Sequence, residues 1–219
     1  WTIRVDEVKN KGVVLGNSIM MGYTTTGVTY RWPSIVWPTR EVINLSGGPG
    51  DRSSDAVLKH AEILSFNPSY VLYCLGTNDL TNSVTAPAFA TNVKSTIDYC
   101  QANNIPIILV TVPPNDSYNA TVYNDSLTAI AAREGLTLLN TWNALRTGTS
   151  FTTGLGADGT HPSDAGHIVM ASIISAGISG IDNTYALNVL NLPASASTKD
   201  RLVLRDSLGS LSLGTRIEN

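Results

Sequence analysis

Ser18, Asn78, Asp158 and His161 lie far apart in the chain, yet their types together make up the working parts of an acyl-transfer site. A serine hydroxyl is weakly nucleophilic at neutral pH and needs a base to take its proton as it attacks. His161 can be that base, because imidazole titrates near neutrality. Asp158, three residues earlier, can hold the far ring nitrogen and stabilise the imidazolium. The negative oxygen that develops on the attacked carbonyl needs donors already in place, and losing one costs on the order of 10²–10³ in rate. The candidates are the backbone N–H of Ser18, the side-chain amide of Asn78, and a backbone N–H in Gly47-Gly48-Pro49-Gly50. Gly50 is preferred, since Gly50-Asp51-Arg52-Ser53 leads into a helix whose first turn has free N–H groups.

Taken singly, each residue has a plainer reading: Ser18 as a helix cap, Asn78 as a turn residue, Asp158 and His161 as turn and loop residues. Their joint position argues otherwise, because Ser18 and Asn78 each follow an apolar run that reads as a strand, and a Gly- and Thr-rich loop from Asn143 to Ala157 delivers Asp158 and His161. Ser18 follows Val13-Val14-Leu15, Asn78 follows Tyr70 to Leu75, and His161 sits in Asp158-Gly159-Thr160-His161-Pro162. Open α/β sheets gather their chemistry at the carboxyl ends of the strands. Asp51 and Asp79 read as turn or supporting residues, and His60 and His167 as structural.

The elements that must position these residues are short runs, Val13–Leu15, Val42–Leu45, Val71–Leu75, Ile105–Val112 and Leu136–Leu139. They are rich in Val, Ile and Leu without alternation, as strands buried on both faces are. Helical patterns lie between them. Val57, Ala61 and Leu64 share one face of the first, and Phe89, Val93, Ile97 and Cys100 one face of the second, with Pro87 in its first turn. The third carries Tyr123, Leu127, Ile130 and Ala131 and ends at Gly135. A fourth spans about 163–180 and turns Ala165, Ile168, Val169, Ile173 and Ala176 inward. The expected fold is a three-layer α/β/α domain with a mainly parallel, five-stranded, flavodoxin-like sheet over 11–185. Residues 1–10 read as a β segment, and 186–219 as a linker and β tail. The segment 20–40 is a long loop with short helical pieces, whose Trp32 and Trp37 either wall a substrate cleft or pack the loop down.

Composition narrows the class. With 219 residues, 42% hydrophobic and 14% charged, the chain can bury one sizeable core. A net charge of −3 argues against a nucleic-acid partner. No apolar run nears the roughly 18 residues of a membrane helix. Cys74 and Cys100 read as small buried hydrophobes, with no metal-site spacing, and the chemistry calls for no cofactor and no metal. The chain opens on Trp1 without a leader pattern, as a mature product or a piece of a longer chain would.

With those residues in place, the sequence over about 11–180 resembles the SGNH hydrolases, the GDSL-type esterases and lipases. Ser18, Gly50, Asn78 and His161 fall where that family has its four naming residues. Asp158 keeps its Asp-x-x-His spacing. Gly76-Thr77-Asn78-Asp79 and Asp158-Gly159-Thr160-His161-Pro162 are the specific blocks. The usual Gly-Asp-Ser of the first block is Gly16-Asn17-Ser18 here, a departure that keeps the turn and loses a charge. The resemblance implies a serine esterase, and the absence of a long apolar lid helix favours an O-acetyl ester on a carbohydrate over a lipid. Amide cleavage by the same fold, or an inactive carbohydrate-binding module, are the alternatives. The tail from Leu202 to Thr215 resembles β motifs of tailed-phage fibre and tailspike proteins, which implies a virion-associated or extracellular setting and a homotrimer.

Overall fold

The computed structural model describes residues 12–37, 42–45 and 48–188. The chain divides into two compact units, Trp1–Ser175 and Ala176–Asn219. All the described strands and the candidate site belong to the first. The N-terminal β segment and the tail with its fibre-like motif lie outside the described residues.

Five strands form one parallel sheet: β1 (Gly12–Leu15), β2 (Val42–Asn44), β3 (Tyr70–Tyr73), β4 (Ile107–Val110) and β5 (Leu138–Leu139), in the order β2-β1-β3-β4-β5. Val13 lies opposite Ile43 on one side and Val71 on the other. The chain leaves β1 toward β2 and then crosses back to β3, so the crossover direction reverses beside β1 and β3. That is where such sheets open a crevice at their carboxyl ends. β1 and β3 are buried along their whole length, as their uninterrupted apolar sequences require.

Helices cover both faces. Val13, Leu15, Val71, Tyr73 and Leu109 share one core with α6 (Ala86–Ala102) and α7 (Thr121–Glu134), through Phe89, Val93, Ile97, Tyr123 and Leu127. Val14, Leu72 and Ile108 alternate to the other face and are buried outside that cluster. Also buried there are Trp32 of α2 (Trp32–Val36), Leu145 of α8 (Thr141–Leu145), and Met170, Ala171 and Ile174 of α9 (Asp164–Asn188). Pro87 sits in the first turn of α6, Thr85 caps it by accepting from the Ala88 N–H, and Gly135 ends α7 in the left-handed conformation.

Two helical faces differ from expectation. The first helix is broken at Lys59 into α3 (Ser53–Leu58) and α4 (His60–Ser65). It buries Ala56 and Ile63, whereas Ala61 and Leu64 are exposed. In α9 the inward residues are Gly166, His167, Met170, Ala171 and Ile174, while Ala165 and Ile168 face solvent. The sequence of α9 offers apolar residues on adjoining faces, and long-range contacts choose between them. The His167 ring accepts from the Trp32 N–H, and a Cβ on Gly166 would lie 2.2 Å from the Leu155 carbonyl oxygen. Trp32 and Trp37 pack the loop down rather than wall a cleft. Trp32 is fully buried, and the Trp37 indole donates to the Tyr70 hydroxyl.

Candidate active site

Ser18 opens α1 (Ser18–Met21) directly after β1, with Asn17 as its cap. The Asn17 Oδ1 accepts from the Ile19 N–H at 3.0 Å, so an uncharged side chain caps the turn into α1. The Asn17 Nδ2 is buried without a partner among the described residues. His161 arrives on the loop before α9, closed by the Ala157 N–H donating to the His161 carbonyl and braced by the Asp116 N–H donating to the Gly159 carbonyl.

The expected relay is present. The Ser18 Oγ lies 2.9 Å from the His161 Nε2, and the His161 Nδ1 lies 2.8 Å from the Asp158 Oδ2. The Asp158 Oδ1 accepts from the backbone N–H groups of Thr160 and His161 at 3.0 and 2.8 Å. Burial alone would raise the Asp158 carboxyl, but donation from the His161 N–H and ring and from the Thr160 N–H outweighs it and holds the carboxyl below its usual range. A carboxylate that stays charged keeps the proton on Nδ1 and leaves Nε2 free to accept from Ser18.

Asn78 opens the other side of the crevice from α5 (Thr77–Thr81), which starts immediately after β3. Gly76 makes the entry: its φ of 134° and a Cβ position 2.4 Å from the Val112 side chain exclude any other residue. The Asn78 Nδ2 donates to the carbonyls of Pro49 and Asp51 at 3.0 and 2.9 Å. The Ser18 N–H also donates to the Pro49 carbonyl, at 3.2 Å. Two of the three expected oxyanion donors therefore converge on one point, and a backbone carbonyl occupies it. The third, the Gly50 N–H, is turned away, because the Pro49–Gly50 peptide is trans and its N–H points opposite to its C=O.

One neighbour escaped the sequence reading. Tyr23 lies against His161 with ring centroids 4.9 Å apart, and it is 59% exposed. Its signal was Gly22, a left-handed cap that ends α1 and returns the chain so that the Tyr23 N–H donates to the Ser18 carbonyl. Asp79, expected as a turn or supporting residue, supports the site. It is buried beside Asn78 and accepts from both the N–H and the hydroxyl of Ser53, the first residue of α3, and the Asn92 amide donates to the same hydroxyl. Asp51, in the turn before α3, pairs with Lys59 at the break between α3 and α4. His60 stacks on Tyr99 and His167 is buried against Trp32, so both stand apart from the relay. Burial pushes the thiol of the buried Cys100 up to about 12 and that of the half-buried Cys74 up as well, as in inert cysteines. Among the described residues no group of three or more His, Cys, Asp or Glu is placed to hold a metal ion, and no described helix is long and apolar enough to cross a membrane.

A doubly wound parallel sheet with a serine, a histidine and an aspartate in hydrogen-bonded series at its carboxyl edge defines an α/β hydrolase-like protein of the three-layer type. The family model of the GDSL-like lipases and acylhydrolases matches residues 14–169, and the chain belongs to that family. Solved structures agree in fold. The lipase/acylhydrolase from Enterococcus faecalis is similar at 25% identity and a TM-score of 0.66, covering 78% of this chain and 96% of that one. A GDSL-like lipase from Bacteroides thetaiotaomicron is similar at 21% identity and a TM-score of 0.70, covering 79% and 89%. A carbohydrate esterase family 3 protein from Talaromyces cellulolyticus is similar at 18% identity and a TM-score of 0.65, covering 80% and 98%. No curated protein matches the sequence.

Proposed function

We propose that the protein is a serine esterase that removes acyl groups, most simply acetyl, from the hydroxyls of a carbohydrate. The observation that carries the reading is the continuous series Ser18 Oγ, His161 Nε2, His161 Nδ1, Asp158 Oδ2, with 2.9 and 2.8 Å at its two links. As Ser18 attacks the ester carbonyl, its proton passes to His161 and charge develops on the carbonyl oxygen beside the Ser18 N–H and the Asn78 amide. His161 then protonates the departing sugar oxygen, which leaves as a free hydroxyl, and an acyl-Ser18 ester remains. A water entering beside His161 gives its proton to the ring and attacks that ester, and the ring returns the proton to the Ser18 Oγ as the acid leaves. The exposed Tyr23 ring beside His161 supports a sugar leaving group, since an open aromatic face next to the base can stack on a pyranose while a lipid chain would call for a deeper apolar channel. The fold is also that of a carbohydrate esterase from Talaromyces cellulolyticus.

Fluorophosphonate labelling followed by mass spectrometry is expected to place the adduct on Ser18, and acetate release from an acetylated glycan is expected to stop with Ser18→Ala at unchanged melting temperature. Folded wild-type protein that is neither labelled nor active would favour a carbohydrate-binding module. Labelling together with hydrolysis of long-chain esters alone would move the substrate to lipids.

A further inference from the structure

Gly48-Pro49-Gly50-Asp51 is a hydrogen-bonded β-turn, with the Asp51 N–H donating to the Gly48 carbonyl at 3.3 Å. Gly50 lies outside the left-handed region, as the third residue of a type I turn does. Pro at the second position and Gly at the third are also the residues of a type II turn, which keeps the same closing hydrogen bond but requires φ near +80° at the third residue. The two turns differ by rotation of one peptide plane, here Pro49–Gly50. In the type I form this plane aims the Pro49 carbonyl at the Ser18 N–H, 3.2 Å away, and at the Asn78 Nδ2, 3.0 Å away.

We propose that the Pro49–Gly50 peptide is a substrate-driven switch. In the resting enzyme its carbonyl fills the oxyanion site, and in the reacting enzyme the peptide turns over, withdraws that carbonyl and presents the Gly50 N–H as the third donor. The proposal rests on the esterase reading above and adds a conformational step to it. The exchange needs no wider rearrangement. The second N–H of the Asn78 amide stays on the Asp51 carbonyl at 2.9 Å and keeps the amide aimed while the first is released. Asp79 holds the start of α3 on the far side of the turn through Ser53. Nothing lies within 4 Å of a Cβ built on Gly50, so the surroundings leave the position room. The driving force is charge: an oxyanion accepts more strongly than the neutral amide carbonyl it displaces, so the switched form is favoured as charge develops.

The test compares Gly50→Ala and Gly50→Asn with wild type in p-nitrophenyl acetate hydrolysis and in the rate of fluorophosphonate inactivation. An L-residue in the left-handed region costs about 1–2 kcal/mol, and Asn tolerates it better than Ala. Gly50→Ala is therefore expected to lose about 5- to 30-fold in kcat with KM little changed, and Gly50→Asn less than Ala, at equal melting temperatures. Activity ordered by side-chain size, with Ala at or above Asn, or wild-type rates in both, would overturn the switch. A crystal structure of the Ser18 phosphonate adduct provides a readout independent of the variants. The phosphoryl oxygen is expected to accept from the Gly50 N–H with Gly50 at positive φ. An adduct with the Pro49 carbonyl still on the Ser18 N–H would overturn the switch and leave the esterase intact, whereas a folded wild type that takes no label at Ser18 removes both.

Discussion

At the scale of single residues, Asp158 has the most informative chemistry, because two backbone N–H groups and one ring share its two oxygens. Its lowered carboxyl means that the stability it contributes is present above the ordinary carboxylate range and is lost only as pH falls through the lower folded value. Asp158→Asn keeps one oxygen for the Thr160 and His161 N–H groups but faces Nδ1 with either a poorer acceptor or an NH₂. In the second case the ring carries its proton on Nε2 and can no longer accept from Ser18. A fall in kcat on the order of 10⁴ is expected, with a melting temperature close to wild type, as checked by acetate release and thermal unfolding side by side. The same four residues were legible in the sequence, because the hydroxyl of Ser18 and the amide of Asn78 each follow an apolar run and the Asp-x-x-His interval closes within one turn. Pro49 was not legible as an occupant of the site. Its role depends on which way one peptide plane faces, and Pro-Gly permits both.

At the scale of elements, two helix starts supply the oxyanion side, and Asp79 joins them. It leaves α5 one residue after Asn78 and fixes the N-terminus of α3, the helix that follows the Pro49 turn. Burial is the main cause raising its carboxyl, against donation from Ser53, which marks how little water reaches this joint. Asp79→Asn replaces one acceptor with a donor opposite the Ser53 N–H or hydroxyl. The buried mismatch is expected to cost about 1–3 kcal/mol in denaturant unfolding and to lower kcat more than it raises KM, since both donor-bearing segments shift together. Unchanged stability would mean that Ser53 and Asn92 re-pair without it. Asp79 was readable only as a turn or supporting residue, because a partner 26 positions away leaves no local pattern. The faces of α6 and α7 were readable from periodicity. Those of α3, α4 and α9 were not, where the break at Lys59 or the docking of His167 on Trp32 outweighs an ambiguous apolar pattern.

At the scale of the whole molecule, the layer on the second face of the sheet is tied together by a histidine that chemistry at the site does not use. The His167 ring is fully buried, its Nδ1 accepts from the Trp32 N–H at 3.3 Å, and its Nε2 has no partner among the described residues. Burial, reinforced by the proximity of His161 and opposed by Asp164, lowers its pKa to about 4. Above the ordinary histidine value of 6.5 both folded and unfolded chains hold it neutral, and it adds no pH dependence. Below that value the unfolded chain takes up a proton that the folded chain refuses until about pH 4, so stability falls across this interval. The loss attributable to His167 approaches about 3 kcal/mol at its lower end. His167→Asn keeps an acceptor for the Trp32 N–H and removes the titration. Measured by denaturant unfolding at pH 7.5 and pH 4.5, the variant is expected to lose less stability than wild type between the two, narrowing or reversing whatever deficit its smaller side chain causes at neutral pH. Parallel losses in both proteins would show that the acid sensitivity of the fold arises elsewhere.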